Sequence, residues 1–510
     1  MKNIDIDKEI ITLASRSSLN GFIQIISYAF IFGSGIIITR IVGAEIFGVF
    51  SVSLSIINIL KIISIAGFDR TALKYISFYY GLNNKENIKR SYLISLIFIL
   101  FTSIFTVLIY YFFLNSKINS LFPNLYSLNT IMNILVFILP FLVLNNVLGN
   151  AITSLQKPHY FVFSDGILRI IVQLTLLLVL NLWFSKLYSI IISTCISVFF
   201  SFIFLLYKNI KEYHSIKSMR NPILNKSALN YRMFILFSLP LLFVSILNLS
   251  TQQFDTILVG HFLNARDVGI YSAVRRIGLL IASPLLVLGG ISSATASKLW
   301  ANNNMHGVQN VYEITTRWII IVSGFVLIIV FSMSKEVLNL FGEVFIEGDK
   351  ALKIFAVGQF VNASVGPIGA FLIVLEKQKI VLLNSIISSL LGVILPLILV
   401  PKLGILGASL AISITYILIN CVALFEIIRI FKLKPFTLSS FFSYLIAIII
   451  SIIFGHFLLR AIDGMAYYIK LILSIPILLF VYFFFINFSQ YLIKGRWPSK
   501  AFYLNICEIK

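Results

Sequence analysis

Cysteine is almost missing from this sequence of 510 residues. The three that occur, Cys195, Cys421 and Cys507, lie far apart and share no paired spacing. Disulfide frameworks and cysteine-ligated metal sites use sets of cysteines at short, regular spacing, so the sequence indicates neither. We expect no metal site and no cofactor.

Charged residues are also scarce, and acidic ones most of all. Asp, Glu, Lys and Arg together make up 12% of the chain, about half the share usual in soluble domains. The 40 Lys and Arg outnumber the 19 Asp and Glu, which gives a formal net charge of +21. Nucleic-acid-binding proteins carry basic patches on a soluble body, whereas here long uncharged runs separate the basic clusters. We therefore expect no nucleic-acid partner.

Signatures of common enzymes are missing as well. The sequence contains no G-x-x-x-x-G-K-[ST] phosphate loop, and its five histidines are scattered without an H-E-x-x-H grouping. No loop between apolar segments is long enough for a separate catalytic domain. We predict no catalytic residues and no enzymatic activity.

Long apolar runs fill most of the chain. Hydrophobic residues account for 59% of it, and the mean hydropathy is +0.99. A membrane-spanning helix needs roughly 20 mostly apolar residues, and the sequence contains fourteen such runs. They are continuous rather than alternating, which favours helices over barrel strands. The sequence predicts an all-α integral membrane protein with about 14 transmembrane helices.

Basic residues concentrate in alternate loops, for example at Arg70, Lys74, Lys85 and Arg90, and again around residues 209–232. Loops rich in Lys and Arg stay in the cytoplasm. With an even number of spans, this places both the N and C termini in the cytoplasm. We expect a multi-pass protein of the cell membrane (the cytoplasmic or inner membrane), surrounded by membrane lipid.

The chain contains an internal repeat. Residues 44–51 align with 265–272 at an offset of 221, and residues 155–157 align with 375–377 at an offset of 220. Six predicted spans separate corresponding points, so both copies have the same orientation and an axis along the membrane normal would relate them. We predict two parallel-related six-helix bundles and two appended C-terminal helices with a cytoplasmic tail: residues 1–228, 229–430 and 431–510.

A few polar side chains interrupt the apolar runs. Such groups are costly in a membrane and usually face protein or a water-filled cavity. Lys61 follows Asn58, and Asp255 follows Gln252, at steps of three that keep each pair on one helix face. Further candidates on later spans are Arg275, Arg276, Gln359 and Asn362. We predict that these residues line a substrate cavity; the alternative for each is an interhelical hydrogen bond or a snorkelling side chain.

The cations among these candidates outnumber the one acid. Arg275 and Arg276 are adjacent and point about 100° apart, so both cannot face straight into one cavity. Asp165 and Arg169 stand four residues apart on one helix face, where they can form an ion pair with a structural role. Arginine and lysine suit phosphate groups, so a phosphate-bearing or acidic-sugar substrate fits better than a cationic drug.

Three segments resemble a known family: TRIVGAEIFGVFSV, FSLPLLFVSILNLSTQQFDTILVGHFLNARDVGIYSAVRRI and PKLGILGASLAISITY. They are similar to the polysaccharide flippase family (O-antigen and teichoic-type, Wzx-like) of the MATE/MOP superfamily. The resemblance implies flipping of a polyprenyl-diphosphate-linked oligosaccharide from the cytoplasmic to the outer leaflet, by alternating access through a cationic central cavity. It puts Asp255 and Arg275 or Arg276 at polar positions expected for this family.

The same resemblance implies that a proton or sodium gradient drives the cycle and that polysaccharide polymerase machinery is a partner. Two relatives stay open as alternatives: a lipid II flippase, which the two appended spans suggest, and a MATE-like ion-coupled antiporter of small molecules, for which acidic residues should dominate the cavity. A membrane-embedded polymerase or transferase is a third alternative, but it would need a sizeable outside loop with catalytic residues.

Overall fold

The computed structural model describes residues 2–82, 84–216 and 231–494, and its regular structure is helical. The predicted basic loop at 217–230 and the C-terminal tail lie outside the described residues. The helices are α1 Lys2–Val42, α2 Ala44–Ile65, α3 Phe68–Gly81, α4 Lys85–Ile109, α5 Asn115–Leu121, α6 Leu128–Leu135, α7 Leu139–Ser154, α8 Pro158–Phe163, α9 Arg169–Leu180, α10 Lys186–Ser215, α11 Tyr231–Phe262, α12 Ala265–Ala301, α13 Met305–Asn339, α14 Asp349–Ser364, α15 Ile368–Val374, α16 Gln378–Phe431, α17 Leu438–Ala461 and α18 Tyr467–Lys494.

The prediction of a multi-span helical membrane protein is confirmed. In the described part of the chain, 12 helices are long and apolar enough to cross a membrane, and a bent pair within α11 makes 13. Helix α16, with 54 residues, has a non-helical backbone at Gly404 (φ 58°, ψ −137°). At 1.5 Å per residue, each side of this break is about 39 Å long, enough for a hydrocarbon core of ~30 Å. Counted as two crossings, α16 completes the predicted fourteen. The orientation of the termini stays a prediction.

By its internal contacts the chain divides into two compact units, Met1–Gly269 and Ile270–Lys510. Helix α11 belongs to the first unit, where it packs on α2 and α3. The first turn of α12 also belongs to this unit, and the remainder of α12 belongs to the second. The predicted bundle boundaries after residues 228 and 430 stay predictions.

Helix α2 lies at the centre of the first unit. It packs on α4, α6, α7 and α11, and side chains spread around its circumference, such as Val52 and Ile57, are at most 1% exposed. A helix that is apolar on all sides is stable where other helices surround it. This position leaves the few polar residues of α2 facing other protein elements rather than lipid.

Local turns recur in both units at the offset seen in the sequence. Gln156 and Glu376, 220 residues apart, both have left-handed backbones (φ 62° and 61°). In each copy the next residue donates its N–H to the carbonyl five residues earlier, a common helix-ending turn. Asn84 and Asn304, at the same offset, each cap a helix by accepting the backbone N–H three residues on. These shared turns support the predicted internal repeat.

The two helices predicted to follow the second bundle, α17 and α18, pack on each other and on α13 in the second unit. Gly324 of α13 makes this packing close, because a Cβ there would lie 2.6 Å from the Tyr482 hydroxyl of α18. Small residues at helix interfaces let neighbouring helices approach in membranes. Helices α17 and α18 are therefore part of the packed body of the second unit.

Candidate substrate cavity

The chain turns sharply between α2 and α3. Ala66 and Gly67 both have left-handed backbones (φ 49° and 78°), a conformation that glycine adopts without steric cost. A Cβ on Gly67 would lie 2.3 Å from the carbonyl oxygen of Ser238 in α11. The turn therefore sits tightly on α11, and it places Asp69 and Arg70, at the start of α3, beside the end of α2.

Helix α11 is bent further along the chain than its contact with this turn. Its parts Leu236–Leu247 and Gln252–Phe262 meet at an angle of 50°. Interrupted helices in transporters commonly surround substrate sites, because their freed backbone groups need protein or water partners. The bend therefore marks this part of the first unit as a candidate binding region.

A cavity of about 560 Å³ lies between the end of α2, the start of α3, α7 and the bend of α11. Its size falls within the range of ~300–1,000 Å³ typical of small-molecule sites. Its lining is rich in charged and amide side chains. The polar lining residues are Asn58, Lys61, Asp69, Arg70, Asn146, Ser245, Gln252 and Gln253.

The cavity and its surroundings have a small excess of positive charge. Lys61 is half-buried, and Asp69, Asp165 and Arg169 all lie close enough to act on its ammonium group electrostatically. Arg169 and Asp165 are joined by an ion pair of 2.8 Å, so their charges largely offset each other. The lining residues Lys61 and Arg70 then face one carboxylate, that of Asp69. This balance favours an anion over a cation.

Asp69 is the acid among the described residues that line the cavity. Its Oδ1 atom is buried and has no hydrogen-bond partner in the described structure. Burial raises the pKa of the Asp69 carboxyl above its ordinary value, although Arg70 and Lys61 act in the opposite direction. A carboxyl in this setting exchanges between a charged form that competes with a bound anion and a neutral form that does not.

The first unit brings three of the predicted site residues together, since Asn58, Lys61 and Gln252 all line this cavity. Asp255 lies about one turn further along α11 and is only 1% exposed. Its carboxylate accepts the backbone N–H of Thr256 at 2.7 Å. Its assignment to substrate binding stays a prediction.

The remaining predicted residues belong to the second unit. Arg275 and Arg276 are half-buried on α12. On α14, Gln359 is 1% exposed and its Nε2 atom has no hydrogen-bond partner within the described residues. Asn362 accepts a hydrogen bond of 3.1 Å from Asn420 of α16. These residues put polar groups within apolar helices, and their role in binding stays a prediction.

Sequence reasoning missed several lining residues, among them Asp69, Arg70 and Asn146. The distribution of basic residues predicts that Arg70 belongs to a cytoplasmic loop, and Asp69 lies in the same loop by that prediction. The available signal was the Ala66-Gly67 pair at the end of an apolar run, because such a pair can end a helix and start another in a new direction. Asn146 offered no such signal, since only tertiary packing brings α7 to the cavity.

A multi-span helical body with a charged cavity among its membrane helices is the arrangement expected of a membrane transporter. Over the described residues, the structure contains no group of three or more His, Cys, Asp or Glu side chains placed to hold a metal ion. A sequence model of the family described as polysaccharide biosynthesis protein matches residues 14–293, more than half of the chain. The chain belongs to this family. A second model, described as MatE, matches residues 240–398.

Solved structures share the fold. The lipid II flippase MurJ in an inward closed conformation superposes with a TM-score of 0.68 at 15% identity, covering 94% of this chain and 100% of that one. An inward-facing multidrug resistance MATE family transporter gives 0.63 at 15% identity, covering 82% and 99%. A MOP superfamily transporter from Pyrococcus furiosus gives 0.56 at 17% identity, covering 83% and 96%. No curated protein sequence matches the chain.

Proposed function

We propose that this protein flips a polyprenyl-diphosphate-linked oligosaccharide from the cytoplasmic to the outer leaflet of the cell membrane by alternating access. The observation that carries the proposal is the Lys61 ammonium group, which lines a cavity of about 560 Å³ among membrane helices. A charged group in a membrane helix is expensive, and its usual purpose is functional. Family membership supports transport of a lipid-linked substrate in particular.

The lining residues suit a diphosphate attached to sugars. Lys61 and Arg70 offer cationic donors for phosphate oxygens, and charge-assisted hydrogen bonds of this kind are about twice as strong as neutral ones. The amides of Asn58 and Gln252 can each donate and accept, which suits sugar hydroxyls. The polyprenyl chain would remain in the bilayer, so the cavity needs to hold only the polar end.

We extend the proposal to residues outside this cavity, to the energy source of the cycle and to a partner. Arg275 and Arg276, on α12 in the second unit, are proposed to bind anionic substrate, with the adjacent positions allowing one of them to face it at a time. A proton or sodium gradient is proposed to drive the cycle, and polysaccharide polymerase machinery to receive the product.

The proposed function is tested with the purified chain in liposomes. A polyprenyl-diphosphate oligosaccharide with a fluorescent sugar should cross the bilayer at least about tenfold faster than in protein-free liposomes, as measured by quenching of the exposed dye with dithionite. The same lipid with a neutral glycosidic link in place of the diphosphate should not cross. Equal transport of both lipids would overturn the anion assignment.

Two further substrates separate the alternatives in the same assay. Faster flipping of lipid II than of other diphosphate-linked oligosaccharides would identify a lipid II flippase. Transport of a quaternary ammonium dye, with no flipping of either lipid, would identify a cation antiporter instead.

Replacing Asp69 with asparagine should strengthen anion binding near neutral pH. The ionised carboxylate lies beside Lys61, and removing a repulsion on the order of 1 kcal/mol raises anion affinity about fivefold. Binding of geranyl diphosphate, followed by calorimetry, measures the change. Because the probe itself gains protons near pH 6, the comparison is between wild type and Asp69→Asn at each pH. Identical affinities at every pH would contradict the role of Asp69.

The pH dependence of anion binding follows from the raised pKa of the Asp69 carboxyl. Because its pKa is raised in the folded protein, folding favours the protonated form. The stabilisation from that form is complete below the unfolded value of about 3.9 and is lost as pH rises through the raised pKa. The affinity gap between wild type and Asp69→Asn should therefore be wide at neutral pH and close as pH falls.

A further inference from the structure

A second cavity in the first unit has a different character. It is a groove of about 220 Å³ between α4 and α10, with α7 beneath it. Its interior is formed by Leu93 and Leu96 of α4, Leu148 of α7, and Leu206 of α10. The volume is below the ~300 Å³ at which drug-sized ligand sites begin. An apolar groove of this size fits a length of hydrocarbon chain.

Basic side chains lie at one end of the groove, where α4 begins and α10 ends. Lys89 and His214 line this end and are exposed. The Lys85 ammonium donates to the Ile216 carbonyl at 3.2 Å and lies 5.0 Å from the centre of the Tyr213 ring. This end of the groove therefore presents positive charge and N–H donors next to the apolar interior.

The acids near this end are already paired. Glu86 accepts from Arg90 at 2.6 Å across one turn of α4. Glu212 is 8% exposed and forms an ion pair with Lys157, which precedes α8. Neither carboxylate is among the residues lining the groove. The positive charge of Lys89 is therefore available to interact with a ligand in the groove.

The polar atoms inside the groove bond to each other. The Tyr92 hydroxyl of α4 donates to Oδ1 of Asn209 on α10. Nδ2 of Asn209 donates to the carbonyls of Leu148 and Leu205, at 3.1 and 2.8 Å. These bonds join α4, α7 and α10 and so hold the walls of the groove in place. Because the polar atoms of Tyr92 and Asn209 are paired with protein groups, the interior of the groove behaves as an apolar surface.

The groove continues onto a surface that faces lipid. Along α4 the side chains of Leu93, Ile97 and Phe101 are 47%, 67% and 68% exposed, on a helix that is long and apolar enough to cross the membrane. From Lys89 to Leu96 the helix rises about 10 Å, within the depth of one leaflet of a hydrocarbon core of ~30 Å. The charged end and the apolar interior match the two parts of a single lipid molecule.

We propose that this groove binds an anionic phospholipid, with its phosphate held by Lys89 and His214 and an acyl chain lying between α4 and α10. Charge complementarity selects the lipid: a zwitterionic headgroup would bring a second cation next to Lys89. A second copy of the chain is less suited, because the groove is narrow and its cationic end would need an acidic protrusion. The site is separate from the substrate cavity and does not depend on the proposed function.

The test uses the whole protein in nanodiscs of phosphatidylglycerol and phosphatidylcholine with identical acyl chains. After transfer to the gas phase, native mass spectrometry should show phosphatidylglycerol retained at least about fivefold over phosphatidylcholine. The variant Lys89→Gln/His214→Gln should lose this preference, whereas Lys117→Gln, an exposed lysine in α5, should keep it. Leu206→Trp, which fills the groove, should reduce retention of both lipids.

Three results would overturn the proposal. They are equal retention of the two lipids by the wild type, a preference unchanged in Lys89→Gln/His214→Gln, and occupation of the groove by a second copy, seen as a dimer that Leu206→Trp dissociates. A circular dichroism spectrum and a thermal midpoint matching the wild type establish that each variant is folded, so a lost preference reports on lipid binding.

Discussion

Replacing Lys61 with methionine should reduce binding of geranyl diphosphate by about 100-fold or more and abolish flipping of the fluorescent polyprenyl-diphosphate oligosaccharide. The ammonium group lies in a cavity lined by protein, where a lost charge partner of a bound anion costs about 3–5 kcal/mol. Methionine fills a similar volume without the charge, so packing changes little. The loss of binding should therefore come from the missing charge rather than from altered packing.

Two variants sharpen the Lys61 result. Lys61→Arg keeps the charge and should retain most of the binding, although the planar guanidinium has a different shape. Lys117→Met removes an exposed lysine and should have no effect on binding. If Lys61→Met binds and transports as the wild type does, the cavity is not the substrate site, whatever the substrate proves to be.

The Lys61 substitution also tests the electrostatic interaction between Lys61 and Asp69. Without the ammonium group, the buried Asp69 carboxylate loses one of the cations acting on it, and an uncompensated buried charge destabilises a protein. Lys61→Met should therefore lower the thermal midpoint, and Lys61→Met/Asp69→Asn should recover it without recovering anion binding. This separation of stability from binding identifies the two residues as a charge pair with distinct roles.

The sequence predicted the membrane helices well because the bilayer imposes their length. An apolar run such as residues 47–67 has few structures open to it in lipid, and helix α2 fills most of that range. It also predicted Asn58 and Lys61 as neighbours, since a step of three keeps them on one face. The bilayer decides the first case, and spacing along one helix decides the second.

The sequence could not predict the parts of the cavity that depend on tertiary packing. Helix α3, with 14 residues, is too short to span a membrane, so a search for runs of roughly 20 apolar residues treats it as a loop and does not place Asp69 and Arg70 in the site. Gln252 and Asp255 share a helix face, but Gln252 is exposed and lines the cavity, whereas Asp255 is 1% exposed. Two residues on the same face of a helix can differ in burial, because the neighbouring helices determine which of them is covered.

The internal repeat leads to a second large effect, at Gly48 and Gly269. These glycines occupy equivalent positions of the repeat, and both lie in the first unit, where the first turns of α2 and α12 touch. A Cβ on Gly48 would lie 1.9 Å from the carbonyl oxygen of Ala265, and a Cβ on Gly269 would lie 2.1 Å from that of Ala44. The contact is reciprocal, as expected when two copies of one motif face each other.

Alanine at either position should destabilise the protein by about 1–3 kcal/mol, the usual cost of overpacking. The groups in the way are backbone carbonyls, which cannot rotate aside as a side chain can, so the two helices must separate. Thermal unfolding in detergent measures the loss. Gly33→Ala is the matched control: nothing lies within 4 Å of its Cβ position in α1, and alanine favours a helix over glycine by about 1 kcal/mol.

The double variant Gly48→Ala/Gly269→Ala tests whether the two glycines act at one contact. Once the first Cβ has pushed the helices apart, the second enters space already opened, so the double variant should cost less than the two single losses added together. A strictly additive loss would show that each alanine strains its surroundings independently. A thermal midpoint equal to the wild type in either single variant would mean that the helix ends are not held together at this contact, since no backbone carbonyl could then lie within 2–3 Å of the new methyl group.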